Sequence, residues 1–172
     1  MTDAGAAARV DGSTLIRLDA SVNGQEVTLE IEASETLAEV LRERLGLTGT
    51  KVSCDVQVCG ACTVLLDGLP VSACTTLAYE ARGRAVTTIE GLASADGRLH
   101  PLQQAFLDEF AFQCGFCTPG MILASKALLD ERPDASEQEI VEHMDGNLCR
   151  CSGYTPIVRA IMRVQAASGS GR

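Results

Sequence analysis

Tryptophan is absent, and only four phenylalanines and two tyrosines occur in 172 residues. Any core must therefore be built from Leu, Val, Ile, Ala and Met, and stacking platforms for single-stranded nucleic acid are poorly supplied. Positive charge is also scarce: 14 Lys and Arg against 23 Asp and Glu leave a formal net charge of −9. Such a surface lacks the sequence-independent pull toward phosphate and toward anionic membranes, so the expected partners are proteins rather than nucleic acid. No run of about 18 apolar residues occurs, and no direct membrane insertion is expected. Residues 1–10 show neither the basic nor the apolar region of a secretion signal, so the expected location is cytoplasmic. A Gly-x-Gly-x-x-Gly fingerprint and a P-loop are both missing. The two histidines, His100 and His143, have no paired acid or nucleophile in a signature spacing, and both read as structural or surface residues.

What the chain does have is apolar periodicity. With 46% hydrophobic residues it can bury a core as one domain or two small ones. Residues 1–12 are small and polar without period, as in a disordered tail. Residues 13–20 alternate, with Thr14, Ile16 and Leu18 on one face; Asn23-Gly24 supplies a tight turn, and Val27, Leu29 and Ile31 alternate in return. This pattern predicts a β-hairpin. Ser34 is placed to cap a helix with the stripe Leu37, Val40, Leu41 and Leu45, ended by Gly46. A second hairpin is expected over 63–73 around Asp67-Gly68, and a last short strand over 85–89.

Past Gly91 the period turns helical. Residues 101–112 are expected to bury Leu102, Ala105, Phe106 and Phe110, and residues 119–129 to present Ile122, Ser125, Leu128 and Leu129 at helical spacing. Ser136-x-x-Glu139 is a capping box that opens a helix through Ile140 and Met144. Thr155-Pro156 opens the last helix, with Ile157, Ile161 and Val164 in line. The expected class is α+β: a sheet-and-helix domain over 13–90, a four-helix domain over 91–165 reached through a link at 90–100, and a flexible tail over 166–172.

Eight cysteines divide into two quartets. An even count also suits disulfides, but that framework belongs to small secreted chains. The first quartet reads Cys54-x4-Cys59-x2-Cys62-x11-Cys74, the spacing of plant-type [2Fe-2S] ferredoxins, with small Gly60 and Ala61 permitting a tight ligand loop. Zinc usually takes two Cys-x2-4-Cys knuckles, whereas here one loop holds three cysteines and the fourth stands apart. The second quartet combines Gln113-Cys114-Gly115-Phe116-Cys117-Thr118-Pro119-Gly120 with Asn147-Leu148-Cys149-Arg150-Cys151-Ser152-Gly153-Tyr154-Thr155-Pro156. Its spacing alone leaves zinc open. Each pair precedes Thr-Pro, the dipeptide of a helix start with a capping hydroxyl, and two helix N-termini suit an anionic centre that grows more negative on reduction.

Together these motifs, in this order over nearly the whole chain, resemble the small [2Fe-2S] subunit of the molybdenum hydroxylases, the xanthine oxidase family, in its bacterial carbon monoxide dehydrogenase small-subunit type. The resemblance implies an N-terminal β-grasp ferredoxin domain and a C-terminal four-helix bundle. It implies that Cys114, Cys117, Cys149 and Cys151 hold the cluster nearer molybdenum, and that Cys54, Cys59, Cys62 and Cys74 hold the one nearer a flavin. It further implies that Gln113 and Cys151 touch the pterin of a molybdenum cofactor, usually the cytosine dinucleotide form. The chain would then pass electrons from a molybdenum-binding large subunit to FAD on a medium subunit, in a heterotrimer or a dimer of heterotrimers, with no substrate site of its own. Three positions depart from the family pattern: Ser53 replaces a common glycine, Val58 an often polar residue and Ser152 a common threonine, changes expected to tune hydrogen bonding near the clusters.

Blander readings stand beside these. By residue type Gln113 is a solvated side chain, Arg150 an exposed loop arginine, Lys51 a solvated loop residue, and Phe106, Phe110 and Phe112 core. Gly120 and Gly153 either admit a cofactor or partner closely or supply turns. The rival functions are a free-standing two-cluster ferredoxin and a structural protein with two zinc sites.

Overall fold

The computed structural model describes residues 15–169; Thr14, the expected tail over 1–12 and residues 170–172 lie outside that range. The first hairpin forms as its alternation requires. Strands β1 (Leu15–Val22) and β2 (Gln25–Glu32) pair antiparallel from Leu15↔Glu32 to Val22↔Gln25. Asn23 (φ 52°) and Gly24 (φ 77°) supply the left-handed turn that a two-residue loop needs. Leu18, Ala20 and Val22 are buried with Ile31.

Helix α1 (Leu37–Glu39) continues as a wider π-helical turn over Val40–Arg44. Its cap is Thr36 rather than Ser34. The Thr36 hydroxyl accepts from the Glu39 N–H at 3.2 Å, and the Glu39 carboxylate accepts from the Thr36 N–H at 2.7 Å. A reciprocal box needs an acid at the third position, where Ser34 has only Leu37.

The second hairpin joins β3 (Thr63–Leu66) to β4 (Leu69–Ser72) through Asp67 (φ 51°) and Gly68 (φ 83°). Strand β5 (Ala85–Thr87) runs parallel to β1 and antiparallel to β3, giving the order β2-β1-β5-β3-β4. Every residue of β3 is buried, because both of its faces are covered. Val64 and Leu66 join the core beneath α1, while Leu65 packs on the opposite side.

Four helices follow: α2 (Pro101–Asp108), α3 (Thr118–Glu131), α4 (Glu137–Met144) and α5 (Tyr154–Gly169). Both α2 and α4 pack against α3 and α5. Helix α3 is apolar nearly all round and correspondingly central. Met121, Ile122, Ala124 and Leu128 face the helical core, while Leu123 and Ala127 meet Leu65 of the sheet. The capping box of α4 forms as read, with Ser136 N–H to Glu139 at 2.7 Å and Glu139 N–H to the Ser136 hydroxyl at 3.3 Å.

Two helix ends differ from expectation. α2 stops at Asp108 instead of reaching 112, because the chain reverses at Phe110 (φ 51°), with the Ala111 N–H on the Phe106 carbonyl at 2.9 Å and the Phe110 N–H on Leu107 at 3.2 Å. This is a Schellman ending with phenylalanine where glycine is usual. It leaves Phe110 79% exposed and Phe112 also exposed, so of the three phenylalanines only Phe106 is core. α5, in turn, runs through Gly169, into the stretch expected to be a tail from 166.

The link near 90 is fastened to the first half. Asn23 accepts from the Thr88 N–H at 2.8 Å and donates to its hydroxyl at 2.9 Å, while Glu90 accepts from the Gly49 N–H at 2.7 Å. A Cβ on Gly91 would overlap the Asn23 side chain. Leu65→Ala would open a cavity between sheet and α3; it is expected to cost about 2–5 kcal/mol in chemical denaturation, with both halves unfolding earlier.

Candidate metal centres

Both quartets assemble, each from two chain segments. In the first, Cys62 precedes β3 and Cys74 follows β4, so the pairing of Thr63 with Ser72 sets them side by side. The Ala73 N–H donates to the Cys62 carbonyl at 3.3 Å, and the Cys74 thiol is close enough to Cys62 to help raise its pKa. Cys54 and Cys59 form the other thiol pair. Between them, Asp55 (φ 57°) and Gln57 (φ 58°) are left-handed. Such alternation turns backbone N–H groups to one side, as in an anion-binding nest. The Val56, Val58 and Cys59 N–H groups meet the Cys54 sulfur, the last two at 3.3 Å, and pull that thiol down to about 6. The Gln57 side chain is anchored by the Thr75 hydroxyl, which donates to it at 3.1 Å. Burial pushes Cys62 the other way, up to about 12. A coordinating cation would deprotonate it outright.

In the second quartet Cys114 and Cys117 precede α3, and Cys149 and Cys151 precede α5. Cys151 is close enough to Cys114 to help lower its pKa, and Cys149 close enough to Cys117 to help raise its pKa, so each close pair joins the two segments. The helix mouths are not capped by the threonines. Cys117 occupies the cap position of α3, with Thr118 as the first helical residue and its hydroxyl buried without a partner among the described residues. α5 begins at Tyr154, which puts Thr155 and Pro156 inside its first turn. Ser152 at φ 60° lets the Gly153 N–H donate to the Cys149 sulfur at 3.3 Å. The Tyr154 phenol oxygen accepts from the Cys149 N–H at 2.9 Å. The Phe116 N–H lowers the Cys114 pKa, while burial pushes Cys117 up to about 12. Gln113 is exposed, yet its amide donates to the Cys151 carbonyl at 3.3 Å and so bridges the two segments. Cys114 is exposed and Cys149 buried, which gives this quartet an outer and an inner side.

The inner side touches the loop of the first quartet. The Leu148 N–H donates to the Cys59 carbonyl at 2.8 Å. Asn147, only 7% exposed, donates to the Gly60 carbonyl at 2.9 Å and to the Thr63 hydroxyl at 3.3 Å. A Cβ on Gly60 (φ 66°) would lie 2.6 Å from both the Asn147 amide and the Gly146 carbonyl, and one on Gly120 would overlap the Gly60 carbonyl. Gly60 and Gly120 therefore admit the chain's own neighbouring segments. Pattern reading assigned no role to Asn147 or Tyr154. Their one signal is adjacency to a ligand candidate, since burial and a fold-back hydrogen bond leave no periodic trace.

Among the remaining candidates, His100 caps α2 by accepting from the Leu102 N–H at 3.2 Å, and His143 Nε2 lies 3.1 Å from the Ala124 carbonyl, so both serve helix packing. Val58 offers its N–H to Cys54 while its side chain is 70% exposed, so that departure alters surface rather than hydrogen bonding. Arg150 is exposed, and Lys51 donates to the Thr48 carbonyl at 2.6 Å.

The donor sets suit two irons per quartet. One zinc ion would gather four sulfurs at about 2.3 Å around a single point. In each quartet the nearest thiols are instead arranged two by two, Cys54 with Cys59 and Cys62 with Cys74 in the first, Cys114 with Cys151 and Cys117 with Cys149 in the second. A [2Fe-2S] centre bound by four cysteines, with N–H donors tuning its sulfurs, matches this division. Gly120→Ala is expected to push the Gly60 loop aside and lower the iron bound at the first quartet relative to the second, read by iron analysis with EPR. Tyr154→Phe leaves the Cys149 N–H unpaired, and denaturation should show a loss of about 1–3 kcal/mol.

Comparison with known proteins agrees with this geometry. A family model described as "2Fe-2S iron-sulfur cluster binding domain" matches residues 20–86, and one described as "[2Fe-2S] binding domain" matches residues 88–162. The nicotine 6-hydroxylase small subunit of Paenarthrobacter nicotinovorans is 44% identical over 92% of this chain and 94% of its own. The nicotinate dehydrogenase small FeS subunit of Eubacterium barkeri is 47% identical over 85% of this chain and 92% of its own. In the crystal structure of quinoline 2-oxidoreductase from Pseudomonas putida 86, one chain superposes with a TM-score of 0.86 at 45% identity, covering 92% of this chain and 99% of that one. With both cysteine quartets gathered and both halves matched, the chain belongs to the small [2Fe-2S] iron–sulfur subunits of the molybdenum hydroxylases.

Proposed function

We propose that this chain relays single electrons from the molybdenum cofactor of a large subunit to FAD on a medium subunit. The observation that carries this reading is the pair of thiol quartets whose neighbouring sides are hydrogen-bonded through Leu148 and Cys59, an arrangement that supports two centres in series. Oxidation of a substrate at molybdenum yields two electrons, and a [2Fe-2S] centre accepts them one at a time. Cys114, Cys117, Cys149 and Cys151 hold the centre nearer molybdenum; Cys54, Cys59, Cys62 and Cys74 hold the one nearer the flavin. Gln113 and Cys151 face the pterin, in its cytosine dinucleotide form, and the Gln113–Cys151 hydrogen bond supports their acting together. The N–H groups on Cys54 and Cys149 favour the negative charge that each centre gains on reduction.

In this reading residues 13–90 are a β-grasp ferredoxin domain and residues 91–165 a four-helix bundle. The assembly is a heterotrimer or its dimer, located in the cytoplasm. Among the described residues no helix is long and apolar enough to cross a membrane. Substrate choice belongs to the large subunit.

Metal analysis and EPR test the proposal. Four irons, four acid-labile sulfides and two distinct reduced [2Fe-2S] signals per chain are expected; a colourless protein with two zincs would overturn it. Purification from the native host should bring down molybdenum and flavin, whereas a monomer without either would make the chain a free-standing ferredoxin. Cys151→Ser is expected to slow electron entry from the molybdenum side more than reduction from the flavin side.

A further inference from the structure

The two quartets meet at a single seam. From the Cys59 sulfur the covalent path runs through Cβ and Cα to the Cys59 carbonyl, which accepts from the Leu148 N–H at 2.8 Å. Leu148 is bonded directly to Cys149, whose sulfur belongs to the other quartet. One hydrogen bond thus completes an otherwise covalent route between sulfurs of the two sites. The neighbouring residue holds it in place. Asn147 is buried on the seam and donates to the Gly60 carbonyl, which also receives the Thr63 hydroxyl at 2.8 Å and the Thr63 N–H at 3.1 Å. Asn147 is next to Leu148 and Gly60 is next to Cys59, so the side-chain bond and the backbone bond lie one residue apart on both strands of the seam. Gly60 and Gly120 leave no room for the loops to take another spacing, since a Cβ on either would strike the opposite segment.

We infer that Asn147 is a positioning residue for electron transfer between the two centres, holding the Leu148 N–H against the Cys59 carbonyl. The inference rests on the two-centre reading above. In the step itself, one electron leaves the centre bound by Cys114, Cys117, Cys149 and Cys151 and enters the one bound by Cys54, Cys59, Cys62 and Cys74. The first is oxidised, the second is reduced, and no bond or proton moves. Asn147 touches neither centre; it acts through the loop that it fixes.

The experiment uses the purified complex with its partner subunits, and three altered forms of this chain. Asn147→Ala removes the amide, Asn147→Asp keeps its shape without its donor, and replacing Leu148 by its α-hydroxy acid deletes only the N–H that reaches Cys59. Iron, sulfide and the midpoint potential of each centre are measured first, by titration with EPR. The rate of electron passage between centres is then read by rapid-freeze EPR after one-electron reduction, together with the magnetic interaction between the two reduced centres.

With four irons retained and potentials unchanged, passage is expected to slow about tenfold, the lower end of losses from removing supporting groups around metal sites. The magnetic interaction should weaken in parallel. Wild-type rates in both Asn147→Asp and the ester form would overturn the inference. Loss of iron in both Asn147 forms would overturn the inference, because the amide would then serve to hold the centres themselves rather than passage between them, whatever the ester form shows. A wild-type chain without four irons would overturn the two-centre reading itself, a result distinguishable from equal rates in fully loaded forms.

Discussion

The hydrogen bond from Leu148 to Cys59 joins loops that are 89 positions apart in the chain, and much of the surrounding structure serves to keep it. A buried amide such as that of Asn147 is costly unless paired. Here it is paired with a carbonyl that also takes a hydroxyl and a backbone N–H, so the seam has several donors converging on Gly60. Networks of this kind fix one arrangement, because a shift of either loop would strand a buried polar group. The close approach depends on two residues without side chains. Gly60 turns the first loop in the left-handed region, and Gly120 places the start of α3 directly beneath it.

Opposite forces act on the sulfurs. Backbone N–H groups favour thiolate at Cys54 and Cys114, on the more open sides of their quartets, whereas burial disfavours it at Cys62 and Cys117. The buried thiols therefore need a cation to ionise, and loading of each site is coupled to proton release. The same N–H groups that prepare the open thiols remain as donors to sulfur afterwards. Folding of the β3–β4 hairpin and the mouths of α3 and α5 is what brings these groups into place.

Local signals were legible wherever the chemistry of a few adjacent residues decides the structure. Asn23-Gly24 and Asp67-Gly68 announced both hairpins because two-residue turns require left-handed backbone, and Ser136-x-x-Glu139 announced α4 because its box is closed by neighbours. The first quartet was legible from ligand spacing, whereas spacing alone left the metal of the second open. Errors arose where two local solutions competed or where distant parts decided. Thr36 displaced Ser34 because it alone has an acid at the third position. Phe110 was read as core because it continues a helical stripe, but the Schellman reversal spends that position on a left-handed residue and gives Ala111 the buried place. Thr118 and Thr155 looked like caps, yet Cys117 took the cap position in one case and the earlier start of α5 absorbed the other. Asn147 was invisible because its partners are in the other half of the chain.

Asn23 has a second task beyond its turn. By gripping Thr88 from both sides while Glu90 reaches Gly49, it welds the exit of the sheet to the first hairpin, and Leu65 against Leu123 and Ala127 closes the remaining side. The two halves are therefore tied to each other by buried packing as well as by the chain between them. A carrier of this form has no need to swing between donor and acceptor. Its sulfurs are held at fixed separations by the same contacts that join the halves, so the buried seam between the loops and the N–H donors around each sulfur are the places where a substitution reaches the relay.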